Sequence, residues 1–179
     1  EQIDDLEARG FWMETPCRWL RASIRLGRGD RRGAVADFER TIERARLGKD
    51  PQLMWPVLSL GARVFADSSS QKANDFVNEV LAEWTALAYA IPMASDWLGD
   101  LAIALDALGL AEELVEAAAA AKSINPWLEA AGAYAAGDFG AGDVYGRIGA
   151  LPDEAYARLR AARALVDDGR RAEADLQLE

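Results

Sequence analysis

The sequence predicts an all-α fold of stacked helical hairpins, and three observations carry that prediction. Five of the six prolines, Pro16, Pro51, Pro92, Pro126 and Pro152, stand near the start of helix-like segments. Proline suits the first turn of a helix, where its missing N–H has no partner to lose. The intervals between them, about 26–41 residues, bracket the ~34 residues of a helix–turn–helix repeat unit. Strands have no support: no run alternates branched and aromatic residues, and no Asn-Gly or Asp-Gly turn joins two such runs.

Residues 1–9 read as the end of a helix, with Ile3 and Leu6 on one face and Gly10 as its stop. No helix start precedes them, so the chain is expected to begin inside an element, as a fragment of a longer protein. Thr15 and Pro16 then supply an N-cap and a first-turn proline for a one-sided helix through Trp19, Ala22, Ser23 and Leu26. Gly27, Gly29 and Gly33 mark the turn, and Ala34, Phe38, Thr41, Ile42 and Ala45 restore the helical period.

Asp50-Pro51 opens the second hairpin. Leu58, Leu60, Gly61 and Val64 belong to its first helix, Ala73, Phe76, Val77 and Val80 to its second, and residues 68–70 turn between them. The third runs from Pro92 through Trp97, Leu101, Ala104, Leu105 and Leu108, turns near Gly109, and returns through Leu114 and the alanines of residues 117–121, a strong helix former. Asn125-Pro126 caps a shorter helix with Trp127, Ala130, Ala131 and Tyr134, followed by the turn Gly137-Asp138-Phe139 and by Val144, Tyr145 and Ile148. In the fifth unit, Pro152 starts a stripe of Ala155, Leu159, Ala162 and Val166, and Asp168-Gly169-Arg170-Arg171 turns into Ala174 and Leu178.

With 179 residues and 51% hydrophobic content, the chain holds enough apolar surface for one ordered domain, residues 1–179. Its net charge of -10 disfavours direct nucleic-acid binding, which draws on a surplus of Lys and Arg. The charge is uneven: residues 51–150 carry 4 basic and 13 acidic side chains, against 11 and 10 in residues 1–50. An acidic middle of this kind is either a set of solvated helix faces or a groove for a basic partner. The apolar stretches fall short of the roughly 20 residues of a membrane span. The lone Cys17 cannot form an internal disulfide and no basic-then-apolar leader opens the chain, so a cytoplasmic protein is expected.

The absence of histidine and the single cysteine exclude a Ser-His-Asp triad, a Cys-His pair and a zinc site, so neither a metal nor another cofactor is expected. Acid pairs such as Asp4-Asp5, Glu112-Glu113 and Asp167-Asp168 are adjacent and point about 100° apart on a helix, which keeps them from converging on one atom. Residues 27–33 superficially resemble a phosphate loop but have neither a preceding strand nor a G-K-[ST] ending.

Binding residues are therefore sought among cations and aromatics. Arg18, Arg21, Arg25 and Arg28 fall within a wedge of about 80° on one helix, where they either hold an acidic partner or pair with carboxylates of neighbouring helices. Of the six tryptophans, Trp12, Trp19, Trp55, Trp84, Trp97 and Trp127, the candidates for an interface are Trp19, Trp55 and Trp127, early in first helices, and Tyr134 joins them. Burial between hairpins is their alternative role.

Residues 29–38, with Gly29, Ala34 and Phe38 in that order, resemble the turn glycine, close-packing alanine and second-helix aromatic of tetratricopeptide (TPR) repeats. Gly169 and Ala174 repeat the first two, and Leu60-Gly61 resembles the Leu-Gly pair of a TPR first helix. Residues 136–139, 148–160 and 168–174 look like the C-terminal TPR-like regions of large bacterial signalling ATPases, attached to a cyclase or a LuxR-type DNA-binding domain. The resemblance implies a TPR-like right-handed solenoid of about five helical hairpins whose first helices line a concave face. It also implies a non-catalytic interaction and regulatory module, with a protein, a peptide or a neighbouring domain as its partner. Two rivals are distinguishable: a small-ligand sensor requires a closed apolar cavity, and a carboxylate enzyme requires two acids from different helices facing one cleft with split pKa values.

Overall fold

The computed structural model describes residues 13–90, 95–122 and 125–179. The features assigned to Ile3, Asp4-Asp5, Leu6, Gly10, Trp12 and Pro92 lie outside the described residues. Within them the chain is all-α, with ten helices: α1 Glu14–Gly27, α2 Arg31–Gly48, α3 Pro51–Phe65, α4 Ser70–Ala86, α5 Trp97–Leu108, α6 Ala111–Ala120, α7 Pro126–Ala135, α8 Ala141–Ile148, α9 Leu151–Asp167 and α10 Arg171–Gln177.

The ends of these helices follow local chemistry. Asp30 accepts from the Gly33 N–H at 2.9 Å and Asp50 from the Gln52 N–H at 3.0 Å. Asn125 accepts from the Leu128 N–H at 2.8 Å and donates to the Ser95 hydroxyl at 2.8 Å, so one side chain caps α7 and ties it to the approach to α5. Each cap satisfies a backbone donor that the first helical turn leaves open. Gly109 at φ 71° ends α5 in the left-handed conformation, which lets the Leu110 N–H reach back to Leu105 O at 2.8 Å. One start differs from expectation: α1 begins at Glu14 with Met13 at the cap, and Thr15 lies inside the helix, with Pro16 still in the first turn.

Packing follows chain order. α1 pairs with α2 and α3 with α4, α3 also packs on α1 and α2, and α5 packs on α3, α4, α6 and α7. α9 packs on α8 and α10 and touches α5. One apolar cluster runs from Ala22 to Ala157 through Phe38, Trp55, Leu58, Trp84, Trp97, Leu101 and Tyr145. At its centre the Trp97 ring meets those of Trp55 and Trp84 edge to face, each at 5.2 Å. Phe38 meets Phe65 and Phe76 in the same way at 5.8 and 5.0 Å. A β-carbon on Gly61 would collide with the Phe38 ring, so α3 approaches α2 at a distance only glycine permits.

The buried face of α9 differs from the expected stripe. Ala157, Ala161, Ala162 and Leu165 are buried, whereas Ala155, Leu159 and Val166 are exposed. Alanines allow α8 and α10 to pack close, and the bulkier Leu159 and Val166 are left on a shallow surface groove with Leu178. No helix among the described residues is long and apolar enough to cross a membrane.

Candidate functional site

A cleft of about 540 Å³ opens between α1 and α9, with α3, α5 and α7 behind it. On α1, Trp19 and Ser23 are four residues apart and therefore share the face turned to the cleft, beside Leu20 and Ile24. Arg63 enters from α3, Asp96 and Asp100 from the start of α5, Trp127 from α7, and Asp153 and Tyr156 from the first turns of α9.

The floor is charged and interlocked. The Arg63 guanidinium donates to the Asp100 carboxylate and lies 4.3 Å from the centre of the Tyr156 ring. Burial works against the Arg63 charge, but the charge and hydrogen bond of Asp100, helped by Tyr156, outweigh it and hold the guanidinium above its ordinary range. Asp100 is only 8% exposed although it sits in an otherwise apolar stretch of helix, and this pairing accounts for its burial. Asp153 presses on α5 so closely that a β-carbon on Gly99 would lie 2.5 Å from its Oδ1.

Burial first, and then the Asp100 charge, push the Asp153 carboxyl up to about 6, against the pull of Arg63. Burial likewise raises Asp96, and the Asp100 charge adds to it. Three polar atoms at the cleft, Trp19 Nε1, Ser23 Oγ and Asp96 Oδ1, are buried without a hydrogen-bond partner among the described residues. Each carries the cost of a buried polar atom without a partner. Despite the three carboxylates, no set of side chains among the described residues is placed to hold a metal ion. No family model, curated protein or solved structure matches this chain.

The residues singled out from the sequence separate into two groups. Trp19 and Trp127 both line the cleft. Trp55 is buried in the core and its indole N–H donates to Glu83 at 3.0 Å. Tyr134 is buried too: its hydroxyl donates to Asp106 at 3.3 Å, and the Arg160 guanidinium lies over its ring at 4.8 Å. The arginines of α1 turn to α2, where Arg21 and Arg25 bind Asp37 at 2.5 and 2.8 Å, while Arg18 binds Glu14 at 2.5 Å.

Arg63, Asp96, Asp100 and Asp153 were not singled out by sequence reasoning, since 37 residues separate Arg63 from its partner Asp100. A signal for two of them was present: Arg63 is the one charge in α3, and Asp100 one of two in α5. A lone charge inside an apolar helix needs a buried partner.

The state of Asp153 has a measurable consequence. An acid with a folded pKa above its unfolded value is neutral in both states at low pH, and it opposes folding once pH rises through the folded value. Asp153→Asn, neutral throughout, is therefore expected to stabilise the protein at pH 8 by on the order of 1–3 kcal/mol. The gain should fade between pH 6 and pH 4. Thermal melts across this range check it, and a pH-independent difference would show that the carboxylate is not held as described.

Proposed function

We propose that this chain is a non-catalytic interaction and regulatory module, a TPR-like right-handed array whose first helices form one inner binding face. The observation that supports this most directly is the origin of the cleft. Every residue lining it, from Trp19 to Tyr156, lies on or beside α1, α3, α5, α7 or α9, the first helix of each hairpin. A concave face assembled this way is how stacked hairpins build a binding surface. The partner is a protein, a peptide or a neighbouring domain of a cytoplasmic signalling protein, and regulation follows if that partner binds two states of the assembly unequally.

Site-specific photocrosslinking tests the proposal. A photoreactive side chain replacing Leu20, half exposed on the cleft, should capture a defined partner from native lysate, whereas one replacing Leu47, exposed on α2, should not. Equal labelling from both positions would overturn the assignment of the face.

A second reading, acid–base chemistry, has in its favour that Asp100 and Asp153 come from different helices into one cleft and that Asp153 is raised to about 6. The commitment of Asp100 to Arg63 weighs against it. Turnover of a chromogenic ester or glycoside that Asp153→Asn abolishes would establish it.

A further inference from the structure

We infer that the cleft seats the lysine or arginine side chain of a peptide segment, with an acidic residue of the same segment directed to an adjoining arginine-lined pocket. The inference rests on the interaction reading above and specifies its ligand.

Charge selects the occupant. Among the described residues, Asp96, Asp100 and Asp153 share the cleft with a single guanidinium, that of Arg63, which Asp100 already engages and whose charge also reaches Asp153. With three carboxylates to one described cation, a cationic group entering the cleft is attracted, and an anionic one is repelled in a partly desolvated site. The Asp96 carboxylate lines the cleft, and a carboxylate is an acceptor for an ammonium or guanidinium N–H.

Shape agrees with charge. Trp19, Ile24 and Tyr156 give the cleft apolar walls above its charged floor. A lysine or arginine side chain matches that layout, since its aliphatic stem lies on apolar surface while its head seeks charge. A volume of about 540 Å³ is of the size that holds such a side chain with parts of its neighbours.

The second half of the inference comes from the next pocket along the face, of about 240 Å³. It shares Arg63 and Tyr156 with the cleft and is lined by Arg31, Arg163 and Asp67, over an apolar base that includes Leu26 and Ile103. Arg31 is fixed by the Val64 carbonyl at 2.6 Å and by Asp67, which leaves the pocket with cationic excess through Arg163. The face is therefore acidic at one end and basic at the other, and it discriminates by the order of charges along a segment as well as by their number.

Fluorescence anisotropy with the whole chain tests this. The probes are capped octapeptides carrying Lys alone, Glu alone, neither, or a Lys–Glu pair two to four positions apart in either order. The Lys peptides should bind at least about tenfold more tightly than the Glu and uncharged ones, and one order of the pair should bind best. Asp96→Asn combined with Asp153→Asn, with helicity confirmed by circular dichroism, should remove the preference for Lys. Arg163→Gln should remove only the gain from Glu.

Lys binding should also weaken from pH 8 to pH 5 as Asp153, faced by Asp96, Asp100, Arg63 and Tyr145, takes up a proton. Binding that ignores charge, prefers Glu alone, or survives the double substitution would overturn the inference and leave the interaction reading standing. Failure of every peptide to bind would overturn the inference, whereas the interaction reading falls only if crosslinking from Leu20 and Leu47 is equal.

Discussion

Replacing Trp97 with alanine is expected to destabilise the protein by about 4 kcal/mol, within the range for removing a large buried aromatic. The ring is fully buried on α5, the helix against which α3, α4, α6 and α7 all pack, and its edge-to-face contacts with Trp55 and Trp84 would both be lost. Little can fill the gap, since those two rings are themselves fixed: Trp55 by Glu83 at 3.0 Å, and Trp84 by its N–H on the Ala90 carbonyl at 3.1 Å. A counter-term makes the prediction sharper. The Trp97 Nε1 is buried with no acceptor among the described residues, and such a donor carries a penalty of about 1–3 kcal/mol that any substitution relieves. Trp97→Phe, which keeps most of the ring and removes the N–H, should accordingly stay within about 1 kcal/mol of the parent. Urea titration of both variants separates the two effects, and an alanine variant as stable as the phenylalanine one would show that the three rings do not share one packed core.

Asp37→Ala should cost about 3 kcal/mol, for a different reason. Asp37 is buried on α2 and receives Arg21 and Arg25, with Arg18 3.8 Å from its Oδ1. Removing one partner of a buried ion pair strands the other charge, at a cost of roughly 3–5 kcal/mol. The three arginines are not equally stranded. Arg21 and Arg25, with side chains 22% and 35% exposed, can turn to water, whereas Arg18 is at 0% and cannot. Arg18 keeps Glu14, which it shares with Arg44, and this places the expected value at the lower end of the range. If Arg18 sets the cost, Arg18→Met in the Asp37→Ala background should recover part of it, because a fully buried site tolerates an apolar side chain better than a charge that has lost one of its carboxylates. A single variant within 1 kcal/mol of the parent in urea titration would show that the network does not form in solution.

The helical hairpins were legible in the sequence because their signals are local. Asn125-Pro126, Asp50-Pro51 and Gly109 act on backbone groups within a few residues of themselves, and each does in the structure what its chemistry implies. Of the stripe expected on α9, Ala162 is buried while Ala155, Leu159 and Val166 are not, because the contacts of α8 and α10 turn the face of Ala157, Ala161 and Leu165 inward, and periodicity alone does not choose between the two faces. In the cleft, Trp19 and Trp127 were visible as aromatics early in first helices, and the charged floor was not. Arg63, Asp100 and Asp153 come from three hairpins, and only tertiary structure brings them together. The arginine stripe shows the converse: a conspicuous pattern in sequence of which Arg18, Arg21 and Arg25 are taken up by Asp37 and Glu14, while Arg28 lies exposed just past the end of α1.

Near its start α9 contributes Ala157 to the main apolar cluster, while Ala162 and Leu165 further along it pack with Ala174 and Phe139 in a separate small one. The helix is continuous, but the free energy holding it is not. As far as Arg160, which binds Asp106 and the Tyr134 carbonyl, the helix is held to the body of the protein, and beyond it the apolar hold is three small or medium side chains and one aromatic ring. Sub-global unfolding can then release α10 and the end of α9 while Asp153 and Tyr156 stay in place. The wall of the cleft is thus insulated from fraying beyond it, whereas the adjoining pocket is not: release of the end of α9 carries Arg163 away, so the acidic end of the face persists while the basic end is lost.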